Sequence, residues 1–199
     1  MFKDKLKICE AAALIALCIA LCTGTWAQGR QQALSEKLVR LHVLAHSDEA
    51  VEQQIKLNVR DAVLGYLEPR LENAANGKDA ERVIMENLDG IARAARRVSQ
   101  GRKVSVSLST ERYPTRRYES FALPAGEYRS LRVSLGEGQG QNWWCVVFPP
   151  LCTQLVTAES VYPALSLEDL ALMEQQEGYR LAFRSLEIWD GLKAMFESD

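Results

Sequence analysis

Lys37-Leu-Val-Arg-Leu-His-Val-Leu-Ala45 alternates with a period of two. Val39, Leu41, Val43 and Ala45 fall on one face and Arg40, His42 and Leu44 on the other, the pattern of a β-strand. Leu44 on the second face implies that this side is at least partly covered too. Ser47-Asp48 then supplies helix N-cap chemistry. Val51, Ile55, Val59, Ala62 and Tyr66 follow at spacings of four, four, three and four. This is an apolar stripe of helical period, with Lys56 and Arg60 pointing elsewhere and an expected end near Pro69.

Further along, Asn73 to Gly77 is a polar break, and a second long helix is expected from about Asp79 to Gln100. Its inner side carries Ala80, Ile84, Leu88, Ile91, Ala95 and Val98, and Gly101 stops it. Arg93, Arg96, Arg97, Arg102 and Lys103 make its end basic, which suits a helix C-terminus without any ligand. Val104 to Ser109 alternates as a half-exposed strand, and Tyr128 to Leu135 alternates again with Leu131, Val133 and Leu135 inward. Gly136-Glu-Gly-Gln-Gly140 is a loop, and Trp143 to Phe148 is another strand, expected to pair with its predecessor as an antiparallel hairpin. Ser166-x-x-Asp169 marks a helix start, with Leu167, Leu170 and Met173 inward. Tyr179 to Phe183 and Leu186 to Phe196 suggest a late strand feeding a terminal helix, or one helix throughout. The expected fold class is α+β, a largely antiparallel sheet packed by two long helices, plus C-terminal strand and helix elements.

The start of the chain is different in kind. Lys3, Lys5 and Lys7 precede the apolar run Ala11 to Cys22, whose 12 residues would span about 18 Å as a helix against the roughly 30 Å of a bilayer core. A positive start, a short apolar core and the small residues around Thr25-Trp26-Ala27 mark a secretory signal, with cleavage before Gln28. Residues 1–27 are therefore read as a signal peptide or an uncleaved anchor, and 28–199 as a single exported domain. The whole chain has 199 residues, 24 Lys+Arg, 26 Asp+Glu and a net charge of -2. That balance argues against a nucleic-acid-binding surface. After residue 27 the only cysteines are Cys145 and Cys152. In an exported domain they are expected to form a disulfide closing an eight-residue loop, worth about 2.5 kcal/mol. Two small buried thiols are the alternative.

Catalytic chemistry has little to work with. His42 and His46 are the only histidines, and no Glu accompanies them in a metalloprotease spacing. Asp48 completes a three-ligand cluster only at the cost of its capping role. The glycine loop lacks the Lys-Ser/Thr of a phosphate-binding loop, and a strand follows it instead of a helix. No catalytic residue, metal or cofactor is assigned. The feature left over is Trp143-Trp144, whose side chains on a strand must face opposite ways. One of them beside Phe148, Pro149 and Pro150 would make a recognition anchor, unless both sheet faces are covered and both indoles are core.

Val39-Arg-Leu-His-Val-Leu-Ala-His-Ser-Asp48 followed by Gln54-Ile-Lys-Leu-Asn-Val-Arg-Asp61 resembles the opening of the stage II sporulation protein R family. The likeness continues in Tyr118-Glu-Ser-Phe121, in Leu123-Pro-Ala-Gly-Glu-Tyr128 and, most specifically, in Gly136-Glu-Gly-Gln-Gly-Gln-Asn142-Trp-Trp-Cys-Val-Val-Phe-Pro-Pro-Leu-Cys152. It is strong over 37–152 and departs at His46, where the family usually has Asn. The resemblance implies a secreted signalling protein of endospore formation, passing from the forespore into the space between the forespore and mother-cell membranes. There it would activate a membrane-embedded aspartic protease of the mother cell through that enzyme's exterior-facing part. The protease would then mature the mother-cell pro-sigma factor by proteolysis. Such a protein is not an enzyme, takes no nucleic acid, and meets the membrane only through its leader or its receptor. The readings from other classes are an exported cell-wall or peptidoglycan hydrolase and an envelope structural protein.

Mass spectrometry of the secreted, unreduced protein is expected to show a loss of two hydrogens from a Cys145–Cys152 bond. Two free thiols would refute it.

Overall fold

β1 (Val39–Leu44) is the strand around which the sheet is built, and all six of its residues are buried. The computed structural model describes residues 2–118, 121–151 and 165–173. Around β1 are α1 (Phe2–Ser35), α2 (Ala50–Leu71), α3 (Gly77–Glu86), α4 (Leu88–Val98), β2 (Val104–Tyr113), β3 (Arg116–Arg117), β4 (Ala122–Leu123), β5 (Gly126–Leu135), β6 (Asn142–Phe148) and α5 (Leu167–Met173). The main sheet has the order β2-β5-β1-β6, and β3 and β4 form a small separate pair. β2 and β5 run antiparallel from Val104 opposite Leu135 to Tyr113 opposite Gly126. β1 is parallel to β5, with Leu41 opposite Leu131, and antiparallel to β6, with His42 opposite Trp144. The fold is α+β with a mixed sheet.

The expected β5–β6 hairpin is not formed, because β1 lies between those strands. A strand buried on both faces belongs at the centre of a sheet, where both faces can be covered. The connecting loop must then step over the end of β1, a distance of about 10 Å. It does so on specific contacts. The Gly140 amide donates to the Ala45 carbonyl at 3.0 Å and the Gln139 amide to the His46 carbonyl at 3.3 Å. The Glu137 amide donates to His46 Nδ1 at 3.1 Å and the Gln141 amide to Asp48 Oδ1 at 2.7 Å. Gly136 and Gly138 have φ of 55° and 65°, values that favour glycine.

Asp48 is thus occupied by the loop. The N-cap residue of α2 is Glu49, which makes no side-chain capping bond. Lys56 is also corrected: it is buried, and its Nζ donates to the Gln141 carbonyl at 3.0 Å and to Gln53 Oε1 at 2.5 Å. Desolvation by burial holds its ammonium below the ordinary lysine range. The inward face of α2 runs Glu52, Ile55, Val59, Val63, Leu67 and Leu71, while Val51 is exposed. The helix continues through Pro69.

The second long helix is broken. Asn87 leaves helical geometry at φ −111° and ψ 10°, with its amide on the Ile84 carbonyl, so α3 and α4 are separate. Its side-chain Nδ2 donates to the Val83 carbonyl at 2.8 Å, and its Oδ1 accepts the Tyr66 hydroxyl at 3.1 Å. α2, α3 and α4 cover one face of the sheet, closing over Leu41, Val43, Leu131 and Val133 with Ile55, Val59, Ile84 and Ile91.

The other face is closed differently. Leu34 and Leu38, at and beyond the end of α1, pack with Tyr128, Leu123, Val146, Leu165 and Met173. Lys37 Nζ reaches Asp169 Oδ2 at 2.5 Å, and Ser166 and Asp169 cap α5 reciprocally, as their spacing implies. Farther back on α1, Leu14, Ile15, Leu17, Ile19, Leu21 and Trp26 are exposed. Among the described residues no helix is long and apolar enough to cross a membrane. The Tyr179–Phe183 and Leu186–Phe196 elements lie outside the described residues.

A Cβ on Gly140 would lie 2.2 Å from the Ser47 carbonyl oxygen, a backbone atom. Gly140→Ala is expected to cost about 1–3 kcal/mol in denaturant unfolding. Gly65→Ala, in α2 with nothing within 4 Å of its Cβ, is expected to stabilise by about 0.5–1 kcal/mol.

Candidate functional site

Alternation sends Arg40, His42, Glu111, Tyr113, Ser130, Arg132 and Trp144 to the sheet face opposite α2 and α4. Arg40 is 0% exposed. Its guanidinium lies 3.8 Å from the Tyr113 ring centre and 5.0 Å from that of Tyr128, and its Nη2 donates to the Tyr118 hydroxyl at 2.9 Å. Nε and Nη1 have no hydrogen-bond partner among the described residues. Two aromatic faces therefore help compensate a buried positive charge that meets no carboxylate among the described residues.

One strand position away stands Glu111. His42 Nδ1, the Tyr113 hydroxyl and Ser130 Oγ each lie 2.9 Å from its Oε2, and Arg132 Nη1 is 3.3 Å from its Oε1. Tyr113 and Ser130 also touch each other at 2.6 Å, so two hydroxyl protons serve three oxygen–oxygen contacts. Burial disfavours the charged carboxyl. The bonds from His42, Ser130 and Tyr113 outweigh that and hold Glu111 below its usual range. Burial pushes the Tyr113 phenol up, so it stays a neutral donor. His42 Nε2 faces the Asn142 carboxamide at 3.1 Å.

Above this cluster opens a cleft of about 290 Å³, walled by Trp144, Pro114, Arg112 and Arg132. Trp144 is half-buried, 5.6 Å from the His42 ring, with the Arg116 guanidinium 3.7 Å over its indole. Trp143 points to the opposite face and lies under Arg60 at 4.4 Å. The two indoles diverge as the strand reading requires, and each has one side covered. Phe148 and Pro149 are buried, and Pro150 is exposed. Cys145 is buried on the helix side of β6 and is disulfide-bonded. Its expected partner, Cys152, lies outside the described residues.

The cluster is built to hold, not to attack. A nucleophilic serine needs an accessible Oγ bonded to a base. Ser130 is 0% exposed, and its Oγ is engaged by Glu111 and Tyr113 while His42 is engaged by Glu111 and Asn142. Among the described residues no group of three His, Cys, Asp or Glu side chains is placed to hold a metal. His42 enters the cluster, whereas His46 and Asp48 belong to the loop clasp. Sequence reasoning missed Glu111, Tyr113, Ser130 and Arg132. The available signal was their parity, since these four continue the outward faces of β2 and β5.

The profile of the stage II sporulation protein R family matches residues 35–158. The chain belongs to that family. A stage II sporulation protein R from Bacillus subtilis (strain 168) is 34% identical over 134 residues, covering 65% of this chain and 60% of that relative. No solved structure matches. The family region includes the six described strands and every described residue lining the cleft. The Ala45–Asp48 and Gly136–Gln141 blocks that carry the resemblance are the two halves of the clasp over β1.

Because Glu111 is held below the usual 4.5, its bonds stabilise the fold above about that pH. That contribution is lost as the pH falls through the lower folded-state value. Glu111→Gln is expected to flatten the acid limb of a plot of Tm against pH. Since Asp169 shares the direction of shift, the readout is the difference between variant and wild type. Superimposable acid limbs would exclude this role.

Proposed function

We propose that this protein is a secreted signal of endospore formation that activates a membrane-embedded aspartic protease of the mother cell. That protease in turn matures the mother-cell pro-sigma factor. The carrying observation is the family match across the whole sheet, joined to a cleft above a cluster whose serine and histidine are both tied to other partners. Residues 1–27 would serve as the leader and 28–199 as the exported domain, delivered into the space between the forespore and mother-cell membranes. Cys145 would pair with Cys152 there.

Activation requires that the domain bind the protease's active arrangement more tightly than its inactive one, since equal affinity for both shifts nothing. The contact surface is the outward side of β6 and the cleft beside it. Trp144 is its centre, with Pro150 at the end of the strand and Trp143 as the alternative on the other face. Phe148 and Pro149 are buried and do not form part of its exposed area. A wall hydrolase would need an acid–base pair open to its substrate, and the four donors on Glu111 leave it poorly suited to that work.

Reconstitution of pro-sigma processing with the membrane protease tests the reading, with and without this protein. Trp144→Ala is expected to cut activation by tenfold or more, corresponding to at least about 1.4 kcal/mol of lost contact, with Tm measured alongside. Trp143→Ala should act chiefly on stability. Full activation by both variants would discard this contact surface.

A further inference from the structure

We infer that the cleft between β2, β5 and β6 receives an acidic side chain from a partner polypeptide, its carboxylate on Arg132 and its apolar part against Trp144 and Pro114. The inference deepens the proposed receptor contact and rests on that reading. Its size comes first: about 290 Å³ lies at the lower edge of the range for small-ligand sites and has room for one or two side chains. Charge comes second. Among the described residues Glu111 is the one carboxylate lining the cleft, and its oxygens are already occupied by four groups. Around it stand Arg132, Arg116 on the far side of Trp144, and Arg40 directly behind Tyr113. Arg40 is wholly buried with its guanidinium 3.8 Å from the Tyr113 ring, and among the described residues its Nε and Nη1 have no hydrogen-bond partner.

Structural duty explains Glu111, Tyr113 and Ser130, which together satisfy a strand face that cannot be left bare. It does not explain Arg132. That side chain is 44% exposed, and its bonds to Glu111 and Ser134 are long, 3.3 and 3.4 Å. An incoming carboxylate offers a guanidinium shorter, charge-assisted and paired bonds. The indole and the proline supply the apolar wall against which the stem of a Glu side chain would lie.

The test uses the full chain and NMR of the Trp144 indole N–H and the His42 ring. It is titrated separately with acetyl-Ala-Glu-Ala-amide, acetyl-Ala-Gln-Ala-amide and inorganic phosphate. The Glu peptide is expected to shift both signals, and the Gln peptide to bind roughly ten- to a hundredfold more weakly. Arg132→Gln should abolish the difference between the peptides and Arg132→Lys should keep part of it. Equal response to the two peptides, no response to either, or the same shifts driven by phosphate alone would overturn the inference. The peptide comparison needs no variant, so a poorly folding Arg132→Gln does not blunt it. In the reconstituted protease, wild-type protein without effect would reject the functional reading while the titration still decides the cleft. Arg132→Gln protein that activates as well as wild type would reject the cleft as the contact.

Discussion

Everything in this fold follows from the burial of β1 on both faces. The strand lies between a parallel and an antiparallel neighbour, and all six of its residues are buried. The face of Val39, Leu41 and Val43 is closed by α2, α3 and α4 in the ordinary way, by apolar area, at roughly 25 cal/mol per Å². The opposite face carries Arg40 and His42, which apolar packing alone cannot satisfy. The polar cluster on β2 and β5 is the answer to that constraint, and the cleft lies where the answer meets solvent.

The two polar residues of β1 are handled in different ways. His42 receives a carboxylate, and Glu111 in turn is stabilised by Ser130, Tyr113 and Arg132. Arg40 instead receives two aromatic rings and one phenol oxygen. Removing a guanidinium from water costs several kcal/mol after relaxation, and cation–π contacts of about 2 kcal/mol each when desolvated recover only part of it. Among the described residues Arg40 has no carboxylate partner, and Tyr113 joins it to Glu111 and the cleft.

Much of this was legible in the amino-acid pattern, and the exceptions have physical causes. Period-two alternation placed β1, β2, β5 and β6 because each has one face committed to α2–α4. The helix of 79–100 read as continuous because Ala80, Ile84, Ile91 and Ala95 keep helical phase across Asn87. The break depends on a side-chain amide that bonds Tyr66 from another helix, and periodicity does not carry such a contact. The hairpin expectation failed because loop length constrains distance, not strand order: six residues reach a neighbour or step over one equally well. Lys56 and Asp48 were misread for a related reason. Each looked like a local helix feature, yet each serves the loop that arrives some 85 to 93 positions later. Trp143 and Trp144 were placed correctly on opposite faces, but Glu111 and Arg132 became visible as one site only when β5 was set beside β2.

The same clasp ties the proposed contact surface to folding. The loop from Gly136 to Gln141 is held by Ala45, His46, Asp48 and Lys56, and it delivers the chain directly into Asn142, Trp143 and Trp144. The position of the Trp144 indole is therefore set by contacts to the strand it crosses and to the first turns of α2. A rigid, pre-positioned anchor loses little conformational entropy on docking. For an activator this matters beyond affinity. A receptor can be biased toward one arrangement only by a surface that does not reshape itself to fit the other equally well. The backbone clasp, the guanidinium over Trp144 and the bonded cluster beneath it all restrict that reshaping, so in the proposed role the features that close β1 from water would also give this surface the stiffness to discriminate between two states of a partner.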